Sequence, residues 1–277
     1  MNISKKLAAV AALVLLAVTP AFAGKGGSNA KIVAAVNSGS VDAIRAELER
    51  AEGLMCPECV GTVTNLLEDN RFEVREVAAW WFARRPGAKE QLAKTFKAEL
   101  TTAGSVDVRN AADFLGRVRQ FDALLQFRIA IARTDISADA KLAIVRAVGF
   151  MAHIDGNSVL LTALNDSDAS VRAAAVSAWR ELLGQVDVKP LVSKLGDSDA
   201  KVRAAAATVI GVYGEPSART MLEQLVTTDA DPFVRRNSAW ALGRIGSADS
   251  AAALRTASND KSGIVRGFAS AALASLK

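Results

Sequence analysis

The sequence predicts an all-α fold, a solenoid of about seven helix pairs with an N-terminal helical cap. One phrase recurs along the chain, as in "DSDASVRAAAVSAW" and "DSDAKVRAAAATVIG". Hydrophobic residues make up 51% of the chain and aromatic residues only 5%, a composition that suits small side chains between closely packed helices. Self-similarity with a period of 20 to 50 residues is typical of solenoids.

The valine that precedes the arginine of each copy marks the period. It stands at positions 74, 108, 171, 202, 234 and 265, and Leu142 takes its place in a degenerate copy. The spacings are 34, 34, 29, 31, 32 and 31 residues. Seven copies of one unit therefore follow one another.

Each copy reads as a helix pair. After the arginine, apolar or small residues recur three and four apart, as they do at positions 202, 205, 206, 209 and 210, which indicates a helix with one buried face. Asp168, Asp199 and Asp231 precede such helices, where a carboxylate can cap free backbone N–H groups. A shorter amphipathic stretch, such as "VKPLVSKLGD", lies between copies and predicts the second helix.

The repeated phrase resembles HEAT repeats, in the short form known from phycobilisome lyase HEAT-like proteins, over about residues 66–277. The resemblance implies a right-handed solenoid that binds a protein partner. It also implies a ladder of ion pairs between adjacent repeats, formed by Asp168, Arg172, Asp199, Arg203, Asp231 and Arg235. A bilin-lyase-like activity is a distant alternative, because nothing in the sequence identifies a bilin pocket.

Residues 1–23 have the pattern of a secretory signal peptide. Lys5 and Lys6 precede an apolar run over residues 7–18, which is too short to span a bilayer, and Ala23 ends an Ala-x-Ala cleavage motif. We therefore expect a periplasmic or secreted protein with no stable membrane insertion after cleavage. Residues 24–70 form the predicted cap, and residues 71–277 form the predicted solenoid.

The charge of the chain argues against nucleic-acid binding. The net charge is +5, and it falls to +3 when residues 1–23, which contain two lysines and no acid, are removed. That bias is too small for a nucleic-acid footprint. The cap is acidic, whereas residues 71–133 contain 12 basic and 7 acidic residues.

The only two cysteines, Cys56 and Cys59, lie in "CPEC". A c-type haem site is excluded, because Val60 stands where the ligand histidine would be. A zinc site lacks ligands, since the only histidine is His153. Two interpretations stay open: a structural disulfide that closes the first turn of a helix with Pro57 at its first position, and a thiol-disulfide redox centre.

The tryptophans indicate where a partner could bind. Trp81 stands where other copies carry alanine, the place of Trp80 is variable and holds Trp240, Thr208 or Ser177 in other copies, and "WWFARRP" follows the acidic cap. We expect Trp81 to be buried, and we predict docking through Trp80, Arg84 and Arg85. The sequence thus favours a non-enzymatic scaffold or adaptor for a protein partner, with no catalytic residues, cofactor or metal; a redox or maturation factor that uses the cysteine pair is the alternative.

Overall fold

The computed structural model describes residues 29–276, which form sixteen α-helices and no strand. The predicted all-α fold is confirmed. The chain divides into two compact units, of which the first ends at Met151 and the second begins at Ala152. The predicted signal peptide lies outside the described residues. No helix within residues 29–276 has the length and hydropathy needed to cross a membrane.

Within residues 29–151 the first unit contains eight helices in chain order. They are α1 (Asn29–Asn37), α2 (Val41–Arg50), α3 (Cys59–Leu66), α4 (Phe72–Ala83), α5 (Pro86–Thr102), α6 (Ser105–Arg117), α7 (Leu124–Ile131) and α8 (Ala138–Met151). Helices α4, α6 and α8 pack on one another and carry the repeated phrase. Helix α3 lies within the predicted cap but pairs with α4, so among the described residues 29–276 the helices that precede the seven predicted pairs are α1 and α2.

The second unit also contains eight helices. They are α9 (Asn157–Ala163), α10 (Ala169–Ala178), α11 (Lys189–Val192), α12 (Ala200–Tyr213), α13 (Arg219–Thr228), α14 (Pro232–Ile245), α15 (Ala251–Ala257) and α16 (Gly263–Ser275). The motif helices α10, α12, α14 and α16 stack in order. In α12 the buried stripe is Val202, Ala206, Ala207, Val209 and Ile210, so Ala207 replaces the expected Ala205.

Small residues bring successive motif helices close together. A Cβ atom added to Gly116 of α6 would lie 2.5 Å from Cα of Ala147 in α8. Likewise, a Cβ atom on Gly211 of α12 would meet the ring of Trp240 in α14 at 2.5 Å. At this spacing any larger residue forces the helices apart. The low aromatic content of the sequence is explained by this close packing.

The motif aspartates cap their own helices. The carboxylates of Asp168, Asp199 and Asp231 accept hydrogen bonds from backbone N–H groups two residues ahead, at 2.8, 2.8 and 2.7 Å. A side-chain oxygen in this place satisfies a donor that the first turn of a helix leaves free. These aspartates are therefore helix start signals, as expected.

The ladder uses the predicted arginines but different carboxylates. Arg172 forms a two-pronged ion pair with Asp197 at 2.7 and 2.8 Å, and Arg203 pairs with Asp229 in the same way. Arg235 pairs with Asp260. The prediction that Asp168, Asp199 and Asp231 form the rungs is wrong, because their carboxylates face their own helix. The rungs are the acids that precede the cap of the next motif helix.

The ion pairs of the ladder persist at neutral pH. Hydrogen bonds from Arg172 and Arg235 lower the pKa values of Asp197 and Asp260. Burial acts to raise the pKa of Asp229, but the hydrogen bonds from Arg203 and from the backbone N–H of Asp231, with the charges of nearby arginines, together lower it. Each arginine also donates to the carbonyl six residues before it, which fixes the loop of its own repeat.

The first unit replaces the regular ladder by one buried cluster. Arg75 of α4 donates to Asp113 of α6 at 2.7 and 3.0 Å, and Arg146 of α8 donates to the other oxygen of the same carboxylate. The side chain of Asp113 is 1% exposed and that of Arg75 is 4% exposed. Three successive motif helices are thus joined through one buried carboxylate.

The degenerate copy has a different register from the predicted one. Ser137 caps α8, so that Ala140 and Lys141 occupy the places of the motif valine and arginine. Ala140 is buried and Leu142 is only half-buried. The assignment of Leu142 to the valine position is therefore wrong by two residues, because the cap and not the leucine sets the helix start.

Candidate functional site

A cleft of about 350 Å³ opens beside Trp80 in the first unit. Trp80 is half-buried and lies nine residues after Arg71, the N-cap residue of α4. The cleft is lined by side chains from three helices and the turn after the first of them. These side chains are Arg45 and Glu49 of α2, Glu52 just after α2, Glu76, Val77 and Trp80 of α4, and Arg117 of α6. The cleft therefore combines an indole with charges of both signs.

Two of the three glutamates in the cleft are paired. Glu76 forms an ion pair with Arg117 at 2.6 Å, and Glu52 accepts a hydrogen bond from the Nε of Arg84 at 2.7 Å. Glu49 and Arg45 form no ion pair with any other residue in the described range 29–276. One carboxylate and one guanidinium in the cleft are thus available to charged groups of a ligand.

Arg84, a predicted docking residue, lies at the surface. Its side chain is largely exposed, and its single ion pair, with Glu52, is also partly exposed. Such pairs contribute about 0 to 1 kcal/mol. Arg84 can therefore exchange Glu52 for a carboxylate of a partner at little cost.

Arg85, the second predicted docking arginine, points into the unit. Its guanidinium stacks on the ring of Trp81, 3.2 Å from the centroid, and donates to the carbonyl of Trp81 and to three carbonyls of the loop after α2. Burial lowers its pKa to about 10, so the group stays charged at neutral pH. Arg85 holds this loop in place, and we remove it from the docking surface.

Trp81 is fully buried, as the sequence led us to expect. It stands where Ala178, Ala241 and Ala272 lie in later copies. Its ring packs edge-on against Phe82 on one side and under Arg85 on the other. The two adjacent tryptophans therefore differ in role: Trp81 is part of the core, and Trp80 borders the cleft.

The cysteine pair lies in the turn that leads into α3. The Cα atoms of Cys56 and Cys59 are 5.3 Å apart and their sulfur atoms are at bonding distance, which suits a disulfide. The helix begins at Cys59, so Pro57 lies two residues before it and not at its first position. The turn is closed by a hydrogen bond from the N–H of Cys59 to the carbonyl of Cys56.

Burial of the sulfur atoms favours a structural role. Cys56 is 4% exposed and Cys59 is fully buried, whereas thiol-disulfide exchange needs an accessible sulfur. Together with Glu58 the cysteines could offer three metal ligands within 4.8 Å of one another, fewer than the four of a structural zinc site. We propose that Cys56 and Cys59 form a disulfide in the native protein.

Comparison with known families identifies the repeat. Residues 188–274 and 158–186 match models of HEAT repeats. HEAT repeats are thus found within residues 158–274. These matches lie in the second unit, where the arginine ladder is regular. No curated protein matches the sequence.

Solved structures of HEAT-like solenoids resemble the chain in fold. The Escherichia coli protein YibA aligns with a TM-score of 0.58 at 13% identity, over 93% of this chain and 99% of that one. Kap95p, in a structure concerning the switch loops of RanGDP, aligns with a TM-score of 0.62 at 15% identity, over 98% of this chain and 41% of its own. Kap95 in complex with Nup1 aligns similarly, at 0.61 and 14% over 98% of this chain and 42% of that one.

Glu49, Glu52 and Arg117 of the cleft were missed by sequence reasoning. Glu49 lies on α2, Glu52 lies just after it and Arg117 lies on α6, and nothing in the chain order places them next to Trp80. The acidity of the cap was a signal for the two glutamates. Arg117 has no comparable signal, because it lies in a basic region among many other arginines.

We expect Cys56 and Cys59 to resist iodoacetamide in the native protein until a reductant and a denaturant are added. Both sulfurs are buried, and the three-residue separation keeps them together. Mass spectrometry of the alkylated protein measures this. The Cys56→Ala variant should retain its helical circular dichroism, because so short a loop constrains the unfolded chain little. Labelling of both native thiols without reductant would contradict the disulfide.

Proposed function

We propose that this protein is an exported, non-enzymatic scaffold that binds a segment of a protein partner in the Trp80 cleft. The HEAT solenoid fold supports the proposal, because Kap95p, which shares this fold, binds RanGDP and Nup1. The phycobilisome-lyase type of the repeats stays a prediction, since the matching models describe HEAT repeats in general.

The observation that carries the proposal is the position of Trp80 among unpaired charges. A half-buried indole offers a large rigid contact surface, and tryptophan and arginine are the residues in which binding energy concentrates. Glu49 and Arg45 flank it without ion-pair partners among residues 29–276. A segment that places an apolar side chain on the indole, with a basic and an acidic group beside it, fits this cleft.

Export of the scaffold rests on residues 1–23. We expect the isolated protein to begin at Gly24 and to be recovered from the periplasmic or secreted fraction. N-terminal sequencing checks this, and a chain that begins at Met1 in the membrane fraction would exclude the proposed export.

Site-specific photocross-linking tests the docking site. A benzoylphenylalanine in place of Trp80 should form a discrete cross-linked species with a partner in the exported fraction. The matched control is the same residue in place of Ser177, which holds the equivalent position of α10 in the second unit. We expect no discrete product from position 177.

A second variant separates binding from folding. Glu49→Gln keeps the shape of an exposed side chain and removes one unpaired charge, so its melting temperature should be unchanged. In a protein that retains Trp80, we expect Glu49→Gln to reduce severalfold the recovery of the partner that the cross-link identifies. Equal cross-linking from positions 80 and 177, or unchanged recovery with both Glu49→Gln and Trp80→Ala, would exclude this cleft as the docking site.

A further inference from the structure

The space between α14 and α16, the last two motif helices of the second unit, is open. The corresponding space between α12 and α14 is filled by a large side chain. Nine residues after its cap, α14 carries Trp240, whose ring packs on Gly211 of α12. At the same position α16 carries Ala271, which lines the groove, while the atoms nearest Gly243 of α14 belong to Ala272 and Ser275. The backbones approach equally closely in both gaps, since an added Cβ on either glycine would meet the next helix within 3 Å. Only the large side chain is missing.

The consequence is an apolar groove of about 530 Å³ between α14 and α16. Its walls include Trp240, Ile264, Phe268 and Ala271. Ile264 is 44% exposed and Phe268 is 37% exposed, which is unusual for large apolar side chains that adjoin each other. The volume lies within the range of about 300 to 1,000 Å³ that is usual for binding pockets.

Arginines border this groove without acidic partners. Arg244 lines it, and none of its described lining residues is acidic. Arg236 lies between Phe233 and Phe268, 5.4 and 5.7 Å from their ring centroids, and its Nε donates only to Asn237. In the described part of the chain no carboxylate pairs with either arginine. By contrast, Arg235, the neighbour of Arg236 in sequence, donates two hydrogen bonds to the carboxylate of Asp260.

The next ladder arginine also lacks a carboxylate. Arg266 of α16 occupies the place of Arg172, Arg203 and Arg235, and it donates to the carbonyls of Asp260 and Lys261 as they do to theirs. Its remaining N–H groups pair with no acid among residues 29–276. The exposed side of α16 therefore presents apolar side chains together with a third cation that no described acid neutralises.

We propose that the groove between α14 and α16 binds an acidic peptide segment of a partner protein, with apolar side chains placed on Trp240 and Phe268. Carboxylates of the segment pair with Arg236 and Arg244, whose planar guanidinium groups suit carboxylates. An apolar side chain of the segment fills the space between α14 and α16 that corresponds to the space filled by Trp240 between α12 and α14. This site lies in the second unit and does not depend on the Trp80 cleft.

Fluorescence anisotropy of the full-length protein with a labelled peptide tests the proposal. The probe is a short peptide of alternating aspartate or glutamate with leucine or phenylalanine, and its control replaces every acid by the corresponding amide. We expect saturable binding of the acidic peptide and at least about tenfold weaker binding of the amide peptide, a difference near 1.4 kcal/mol. Binding should weaken as salt is added, because the exposed charges are screened.

Two kinds of variant locate the binding. Ala271→Trp should fill the groove as Trp240 fills the preceding gap, and should lower affinity at least about tenfold. If that variant does not fold, the double variant Arg236→Gln, Arg244→Gln tests the same site with two side chains that are not fully buried. It should bring the acidic peptide to the affinity of the amide peptide. Trp80→Ala is the matched control and should leave peptide binding unchanged.

Several results would overturn the proposal. Equal binding of the acidic and amide peptides would exclude recognition of carboxylates. Unchanged affinity of a folded Ala271→Trp variant, or of the double arginine variant, would exclude the groove. Self-association of the chain that Ala271→Trp abolishes, or binding to anionic lipid vesicles in place of the peptide, would assign the surface to another occupant. Loss of peptide binding in Trp80→Ala would place the site in the first unit.

Discussion

Asp113→Ala is expected to lower the free energy of unfolding of the first unit by about 3 to 5 kcal/mol, the usual cost of removing one partner of a buried ion pair. Arg75, which is 4% exposed, would keep its charge and lose both hydrogen bonds to the carboxylate. Its Nη1 bonds to the carbonyls of Asp69 and Asn70 would remain, but these carry no negative charge. Arg146 would lose the same partner.

Hydrogen–deuterium exchange of α4, α6 and α8 measures this effect in the unit concerned, whereas a global melting curve would mix the two units. Asp139→Ala is the matched control, because Asp139 is 68% exposed and lies 3.6 Å from Arg109. Its loss should cost about 0 to 1 kcal/mol. Equal protection factors in the two variants would show that the buried cluster is not a major source of stability.

The fold could be predicted in detail because repetition supplies many copies of each signal. Six valine–arginine pairs, helix-capping aspartates and small residues at fixed spacing all indicate one helix pair, so an error in one copy is corrected by the others. The degenerate copy at α8 shows the limit. There Ser137 and Lys141 replace the usual residues, and the assignment of Leu142 to the valine position gave the wrong register.

The ladder shows what spacing alone does not determine. Asp197 and Asp199 lie two residues apart in one loop, and both can reach an arginine or a helix start. Asp199 turns to the N–H of Lys201, and Asp197 both supports that turn and receives Arg172. Which of the two aspartates pairs with the arginine depends on the backbone conformation of the loop. The pattern of residue types does not determine that conformation.

The candidate site was only partly predictable, for a related reason. The contrast between Trp80 and Trp81 follows from helix periodicity, which places adjacent residues on different faces. The role of Arg85 does not, because its partners are backbone carbonyls and those occur at every residue. By contrast, the sequence contains a signal for the open groove, because Ala271 stands where the preceding copy carries Trp240.

Trp81→Ala is expected to lower the free energy of unfolding of the first unit by about 3 to 5 kcal/mol, the range for a large aromatic side chain lost from a core. Trp81 is fully buried, and the variant would leave a cavity beside Phe82. It would also remove the surface on which Arg85 stacks, so that the loop after α2 loses part of its support. Exchange in residues 51–54 should therefore rise together with exchange in α4.

Two further variants show whether burial or the indole itself is responsible. Trp80→Ala removes a half-buried ring and should cost about 1 kcal/mol, since less apolar surface returns to water. Trp81→Phe should cost less than Trp81→Ala, because it leaves a smaller cavity and removes an indole N–H that has no hydrogen-bond partner within residues 29–276. If Trp80→Ala proved as destabilising as Trp81→Ala in denaturant unfolding, both rings would serve the core, and the cleft would lose its accessible indole.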